Sequence, residues 1–121
     1  MTDFRRAFER YGANYEDTMM RFMDNEDMYL KLMDMFFQDE NMKMLGDALD
    51  AHDLSAAFDA AHTLKGVVGN MGLKPMYEAV SAIVEPLRIR EDRDDYLQLY
   101  GAIQEEFQKA ELFYQELKGG V

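Results

Sequence analysis

Apolar residues recur along the chain with the spacing of an α-helix, and no segment shows the sustained alternation of a half-buried strand. Four such segments are long enough to be helices of a bundle, and they cover residues 25–38, 53–71, 75–88 and 93–118. Shorter helical patterns lie at the N-terminus and between the first two. Because the connections are short, we expect neighbouring helices to run antiparallel. The pattern predicts an all-α fold, an antiparallel up-down four-helix bundle with short accessory helices, in one domain spanning residues 1–121.

Residues that start and stop helices support these boundaries. Good N-caps precede several helical patterns, and glycines follow them. These residues are Asn14, Asn25, Asp39 and Asp53 at helix starts, and Gly12, Gly72, Gly119 and Gly120 at helix ends. Pro86 should kink or end the helix that contains it. The charged stretch 88–95 is typical of a connector.

The helix predicted at 53–71 sorts its residues onto two opposite faces. Its small and aliphatic face, which we expect to be buried, consists of Ala56, Ala57, Ala60, Leu64, Val67, Val68 and Met71. The opposite face is centred on His62 and also carries Ser55, Phe58, Asp59, Lys65, Gly66 and Gly69. His62 should therefore point into solvent.

Gly66 and Gly69 need a reason to lie on that exposed face, because each glycine in a helix interior costs about 1 kcal/mol relative to alanine. Without side chains they clear a track beside the imidazole for a large partner. Phe58 is either an exposed anchor for that partner or a residue covered by an accessory helix, and the pattern leaves both open. We take Ser55, Phe58 and Asp59 as candidate partner-binding residues.

His62 and Lys65 suggest a chemistry for this face. A neutral imidazole nitrogen is a competent nucleophile near neutral pH. Lys65 follows three residues later, which puts its ammonium close to any group attached to the ring. A phosphoryl group would benefit from that cation. The alternative for Lys65 is an ordinary solvated lysine.

The run from Ala61 to Leu73 resembles the signature of histidine-containing phosphotransfer (HPt) domains, whose pattern is close to A-H-x-L-K-G-x-x-G-N-x-G. The resemblance implies an antiparallel four-helix bundle with the histidine exposed on the second bundle helix. It implies that His62 accepts a phosphoryl group and that Lys65, Gly66 and Gly69 shape its surroundings. Many family members have small residues where Val67 and Val68 stand, a departure that concerns core packing.

The same resemblance implies the partner, a receiver domain of a response regulator or hybrid histidine kinase. The receiver would supply Mg²⁺ and the donor or acceptor aspartate, so we expect no cofactor or metal on this chain and no enzyme activity of its own. The sequence contains no P-loop and no G-x-G-x-x-G nucleotide motif. The chain is therefore predicted to be a carrier of the phosphoryl group.

Charge and composition narrow the class of partner further. The net charge of −11 argues against a nucleic-acid ligand, because phosphate binding needs a basic face. The chain has no cysteine, so it offers no disulfide, thiolate zinc site or cysteine nucleophile. Nothing in it reads as a signal peptide or a membrane helix. We expect a cytoplasmic monomer, although a domain of a membrane receptor would look the same, and Met1 favours a free-standing protein.

Three alternatives compete with phosphotransfer. His52 could bind a metal with Asp50 and Asp53, but a turn histidine exposed to solvent is the simpler interpretation. Asp59 and His62 have the spacing of a di-metal helix bundle, which needs that motif twice and on inward faces. The third alternative is a helical interaction module in which His62 is never phosphorylated. The fold cannot separate this last one from phosphotransfer, whereas a phosphorylation experiment can.

Overall fold

In the computed structural model, the described part of the chain, residues 3–119, is built from helices and contains no strand. Its seven helices are α1 (Phe4–Tyr11), α2 (Tyr15–Arg21), α3 (Glu26–Gln38), α4 (Asn41–Asp50), α5 (Leu54–Asn70), α6 (Lys74–Arg88) and α7 (Tyr96–Gly119). The predicted all-α class is confirmed. Met1 and the expected helix stop at Gly120 lie outside the described residues. Within them, no helix has the length and apolar character that a bilayer crossing requires.

Short polar side chains cap four of the helices: Asp3 caps α1 by accepting a hydrogen bond from the N–H of Arg6 (3.2 Å), and three others lie at the predicted positions. The side-chain oxygens of Asn14, Asn25 and Asp53 accept hydrogen bonds from the backbone N–H groups of Asp17 (2.9 Å), Met28 (3.0 Å) and Ala56 (3.0 Å). Each bond satisfies a donor that the first turn leaves without an intrahelical partner. The start of α4 differs from expectation, because its N-cap is Glu40, while Asp39 accepts a bond from the N–H of Asn41 at 2.7 Å.

Pro86 lies inside α6, which ends at Arg88 as the pattern predicted. The start of the last helix differs from the pattern. The last helix was expected from residue 93 but begins at Tyr96. Arg93 is held in the preceding loop by ion pairs to Asp95 (2.7 Å) and Glu91 (3.1 Å). These local pairs favour the loop conformation over an additional helical turn.

Helices α5 and α7 make most of the packing contacts between helices. Helix α5 packs chiefly against α4 and α6, while α7 contacts α6, α4, α3 and α1. The connections at 51–53 and 71–73 are short. Helix α4, expected as an accessory piece, buries Leu45, Ala48 and Leu49 and therefore belongs to the core.

An aromatic cluster joins the N-terminal helices to this core. The ring of Phe8 packs edge-on against Phe113 of α7 at 4.9 Å and lies 5.5 Å from Tyr29 of α3. The buried hydroxyl of Tyr29 donates a hydrogen bond of 2.8 Å to the carbonyl of Met71. Burial raises the pKa of Tyr29, so the hydroxyl keeps its proton for this bond. The bond ties α3 to the end of α5.

The two faces of α5 are close to the predicted ones but rotated slightly. The buried positions are Ala57, Ala60, Ala61, Leu64, Val68 and Met71. Ala56 is exposed, so placing it in the buried stripe was wrong. Val67 is half-buried and packs against the core. The centre of the buried face is displaced towards Ala61, which is fully buried. His62 remains outside the buried face.

Candidate functional site

His62 lies on the exposed side of α5, one residue after the buried Ala61. One helical turn further on, Gly66 is also exposed, and a Cβ atom added to it would meet no atom within 4 Å. The space beside the imidazole is therefore open on the Gly66 side. An incoming group can reach the ring there without displacing any side chain.

We expected both glycines to leave open space beside His62, but the space at Gly69 is filled. A Cβ atom at Gly69 would lie 3.1 Å from Cε1 of Tyr77 on α6. The tyrosine ring therefore occupies the space that the missing side chain leaves. The open track ends at Gly69, and Tyr77 forms its wall.

Lys65 on α5 is half-buried, and it lies next to Tyr77 on α6. Its ammonium nitrogen lies 5.7 Å from the centre of the Tyr77 ring, within reach of a cation–π interaction. The hydrogen bond from Arg88 is the main cause of the lowered pKa of Glu85 on α6, and the charge of Lys65 contributes to the same lowering. Lys65 thus lies beside α6, in a depression of about 460 Å³ that His62, Gly66 and Tyr77 also line.

Phe58 lies between the two situations that the sequence left open, a fully exposed ring and a fully covered one. Its half-buried ring stacks on the imidazole of His62, with ring centres 5.3 Å apart and an angle of 17° between the planes. The guanidinium carbons of Arg90 and Arg88 lie 4.9 Å and 5.4 Å from the centre of the same phenyl ring. Two arginine side chains therefore cover part of the phenyl ring.

Arg90 is itself held in place. Its guanidinium donates hydrogen bonds to Oγ of Ser55 (3.1 Å) and to the carbonyls of Leu87 (2.8 Å) and Arg88 (3.1 Å). Its backbone has a φ of 53°, which a non-glycine residue adopts infrequently. Ser55 is therefore engaged with Arg90, while the third candidate partner-binding residue, Asp59, is exposed. The sequence placed Arg88 and Arg90 in a connector and gave no signal for this contact.

Arg21 is a second residue that the sequence did not indicate. From the end of α2, it donates hydrogen bonds to the carbonyls of Asn70 (3.1 Å) and Gly69 (3.3 Å). A cation at this position satisfies acceptors at the C-terminal end of α5 and suits the negative end of its dipole. Arg21 also lines the depression that contains His62.

Cations without an acidic partner are concentrated around α5. Within residues 3–119, six lysines and arginines have no carboxylate at ion-pair distance. They are Arg21, Lys65, Lys74, Arg90, Lys31 and Lys118. The first two line the depression beside His62, Lys74 lines the neighbouring one, and Arg90 contacts Phe58. Four of these six cations therefore lie on or next to the surface that carries His62, in a chain whose net charge is −11.

A groove between α3 and α5 borders the other side of His62. Its volume is about 640 Å³, and Leu32, Met35 and Gly66 are among the residues that line it. The side chain of Met35 is 64% exposed. An apolar surface and the basic depression thus meet at the imidazole.

The alternative metal sites find no support in the described residues. His52 is exposed in the turn before α5, with a φ of 56° that fits the expected turn histidine. Across residues 3–119, no group of three or more His, Asp or Glu side chains is arranged to hold a metal ion. The pairing of Asp59 with His62 occurs once, on the outward side of α5.

The fold and this site define a helical domain that presents one histidine on an open helix face. A family model described as the Hpt domain matches residues 31–112, which is more than half of the 121-residue chain. The chain belongs to the Hpt domain family. Curated proteins and solved structures give no significant match to it.

Proposed function

We propose that the chain is a phosphorelay carrier that accepts a phosphoryl group on His62 and exchanges it with an aspartate of a receiver domain in two-component signalling. The observation that carries the proposal is the open helix face, on which the exposed His62 stands beside the bare surface of Gly66. Membership of the Hpt domain family supports the same chemistry. An up-down order of the bundle helices is part of the proposal.

In the reaction, the lone pair of one imidazole nitrogen of His62 attacks the phosphorus of an aspartyl phosphate. The N–P bond forms as the P–O bond to the aspartate breaks, and the carboxylate leaves with the electron pair. The other ring nitrogen keeps its proton. The phosphorylated ring then carries negative oxygens, which the ammonium of Lys65 offsets. The reverse reaction returns the group to a receiver aspartate.

The receiver supplies what this chain does not. Phosphoryl transfer depends on positioning and on neutralisation of charge on the transferring group. We assign Mg²⁺ and the aspartate to the receiver, and the nucleophile and a nearby cation to this chain. The carrier is accordingly not an enzyme in its own right.

The receiver is proposed to dock over the exposed side of α5. The bare surface at Gly66 allows close approach, and the α3–α5 groove adds apolar area next to it. Asp59, exposed one turn before His62 on α5, lies at the edge of this surface. Arg21 and Lys65 supply the positive side that an acidic receiver pocket would face.

The test is transfer from a phosphorylated receiver domain with Mg²⁺ to the wild-type chain and two matched variants, His62→Gln and His52→Gln. Both histidines are exposed, so neither substitution should change the melting temperature appreciably. We expect acid-labile, base-stable phosphate on the wild type and on His52→Gln, and none on His62→Gln.

Label that persists in His62→Gln and disappears in His52→Gln would show that His52 accepts the phosphoryl group and that the assignment to His62 is wrong. Wild-type protein that binds the receiver but never takes label would identify a helical interaction module instead. A panel of several receivers is needed, since transfer depends on a matching partner.

A further inference from the structure

We propose that Phe58 is a positioning residue for His62, an inference that rests on the phosphoryl-carrier function above. The phenyl and imidazole rings are stacked at 5.3 Å with 17° between their planes. They lie one helical turn apart, so both side chains project from the same side of α5. The contact covers one flat side of the imidazole, and His62 as a whole remains exposed.

An exposed histidine needs such a contact to hold a fixed orientation. The torsion that turns an imidazole about its Cβ–Cγ bond is broad, so a ring on an open surface samples many angles. Gly66 provides no side chain that would limit this motion. A flat phenyl ring packed against the imidazole restricts the angle and keeps the nucleophilic nitrogen directed at the incoming phosphorus.

Phe58 is suited to this role because two arginine side chains hold its ring in place. Arg90 lies 4.9 Å from the phenyl centre and is held by three hydrogen bonds, one of them to Ser55 at 3.1 Å. Arg88 lies 5.4 Å from the same ring and is paired with Glu85 at 3.0 Å. The end of α6 thereby orients a side chain of α5, which in turn orients His62.

The first experiment measures the stack without phosphate. We compare the ring resonances of His62 and His52 by NMR in the wild type and in Phe58→Leu and Phe58→Tyr. His52 is the internal reference, because it lies in an exposed turn outside the stack. We expect nuclear Overhauser effects between the His62 and Phe58 rings and a ring-current displacement of the His62 protons. Both should vanish in Phe58→Leu and persist in Phe58→Tyr.

The second experiment measures phosphorylation. Phosphoramidate transfers its phosphoryl group to an imidazole nitrogen and releases ammonia, so it reports on His62 without a receiver. Phe58→Leu should lower the maximal rate of receiver transfer by about 10- to 100-fold, since misplaced reacting atoms slow a step strongly within a docked complex. The phosphoramidate rate should change little, because a small reagent can reach the exposed imidazole in any ring orientation. The KM for the receiver should also change little, and Phe58→Tyr should restore the receiver transfer rate.

A matched control separates positioning from a general loss of packing. Phe113→Leu removes a buried aromatic ring on α7 that packs on Phe8 and Tyr11, and none of the three lines the depression or the groove beside His62. It should lower the melting temperature at least as much as Phe58→Leu and leave the maximal rate of receiver transfer by the folded protein unchanged. An equal loss of rate in the two variants would overturn the positioning role.

Failure of this inference is distinguishable from failure of the proposed function. Wild-type protein that takes label on His62, with Phe58→Leu taking label from the receiver at the same rate, would refute the positioning role and leave the carrier function standing. Wild-type protein that is phosphorylated by neither phosphoramidate nor any receiver would overturn both. Absence of the His62–Phe58 Overhauser effects would refute the stack directly.

Discussion

Replacing Gly66 by leucine should move stability and function in opposite directions. Gly66 lies in the interior of α5, where glycine costs about 1 kcal/mol relative to alanine and leucine ranks close to alanine. A Cβ atom at Gly66 would meet nothing within 4 Å, so the helix surface has room for a side chain to begin there. We expect the free energy of unfolding to rise by about 0.5–1 kcal/mol and the melting temperature by about 2–5 °C.

The same leucine should block the receiver, because a branched side chain would stand in the space beside His62 through which a partner approaches. Gly101 offers a matched control. It lies within α7, and a Cβ atom there also meets nothing within 4 Å. Gly101→Leu should give a similar stability gain and unchanged transfer. The assays are thermal melts followed by circular dichroism and receiver titrations on both variants.

Two results would refute this reasoning. If Gly66→Leu lowered the melting temperature, Gly66 would belong to a helix–helix contact and the assigned exposed face of α5 would be wrong. If Gly66→Leu accepted phosphoryl groups from the receiver at the wild-type rate, the partner would approach His62 from another side.

Three other substitutions test separate parts of the structure. Leu64→Ala should lower the free energy of unfolding by about 2–5 kcal/mol in urea titrations, because the side chain is buried in the core, and leave receiver affinity of the folded fraction unchanged. Tyr29→Phe should lower the free energy of unfolding by about 1–3 kcal/mol in the same titrations, since the Met71 carbonyl would lose a buried donor. Lys65→Ala should slow phosphotransfer at low salt, and the difference from wild type should shrink as ionic strength rises; equal rates at low salt would make Lys65 an ordinary surface lysine.

Much of the central helix could be predicted from the sequence. Asp53 and Gly72 predicted the two ends of α5. Both signals can be recognised in the sequence because a cap acts through hydrogen bonds to residues only a few positions away. The helical period also put His62 on the exposed side. Spacing alone defines the faces to within part of a turn, which is why Ala56 was assigned to the wrong one.

The surroundings of His62 could not be predicted in the same way. The contact of Arg90 with Ser55 joins residues 35 positions apart, and that of Arg21 with Asn70 joins residues 49 positions apart. A helical period shows which way a side chain points and carries no information on what it meets there. Tyr77 over Gly69 is a further example, since it depends on how closely α6 approaches α5.

The measurement that tests the central claim most directly is a chase experiment on the isolated, phosphorylated chain. Labelled protein is mixed with an unphosphorylated receiver domain and Mg²⁺, and the label on each protein is followed with time, with the modified residue located by mass spectrometry. A phosphoryl carrier predicts that label is found on His62 and that its loss is matched by label gained on the receiver aspartate. Label on any other residue, or label on His62 that no receiver can remove, would contradict the account.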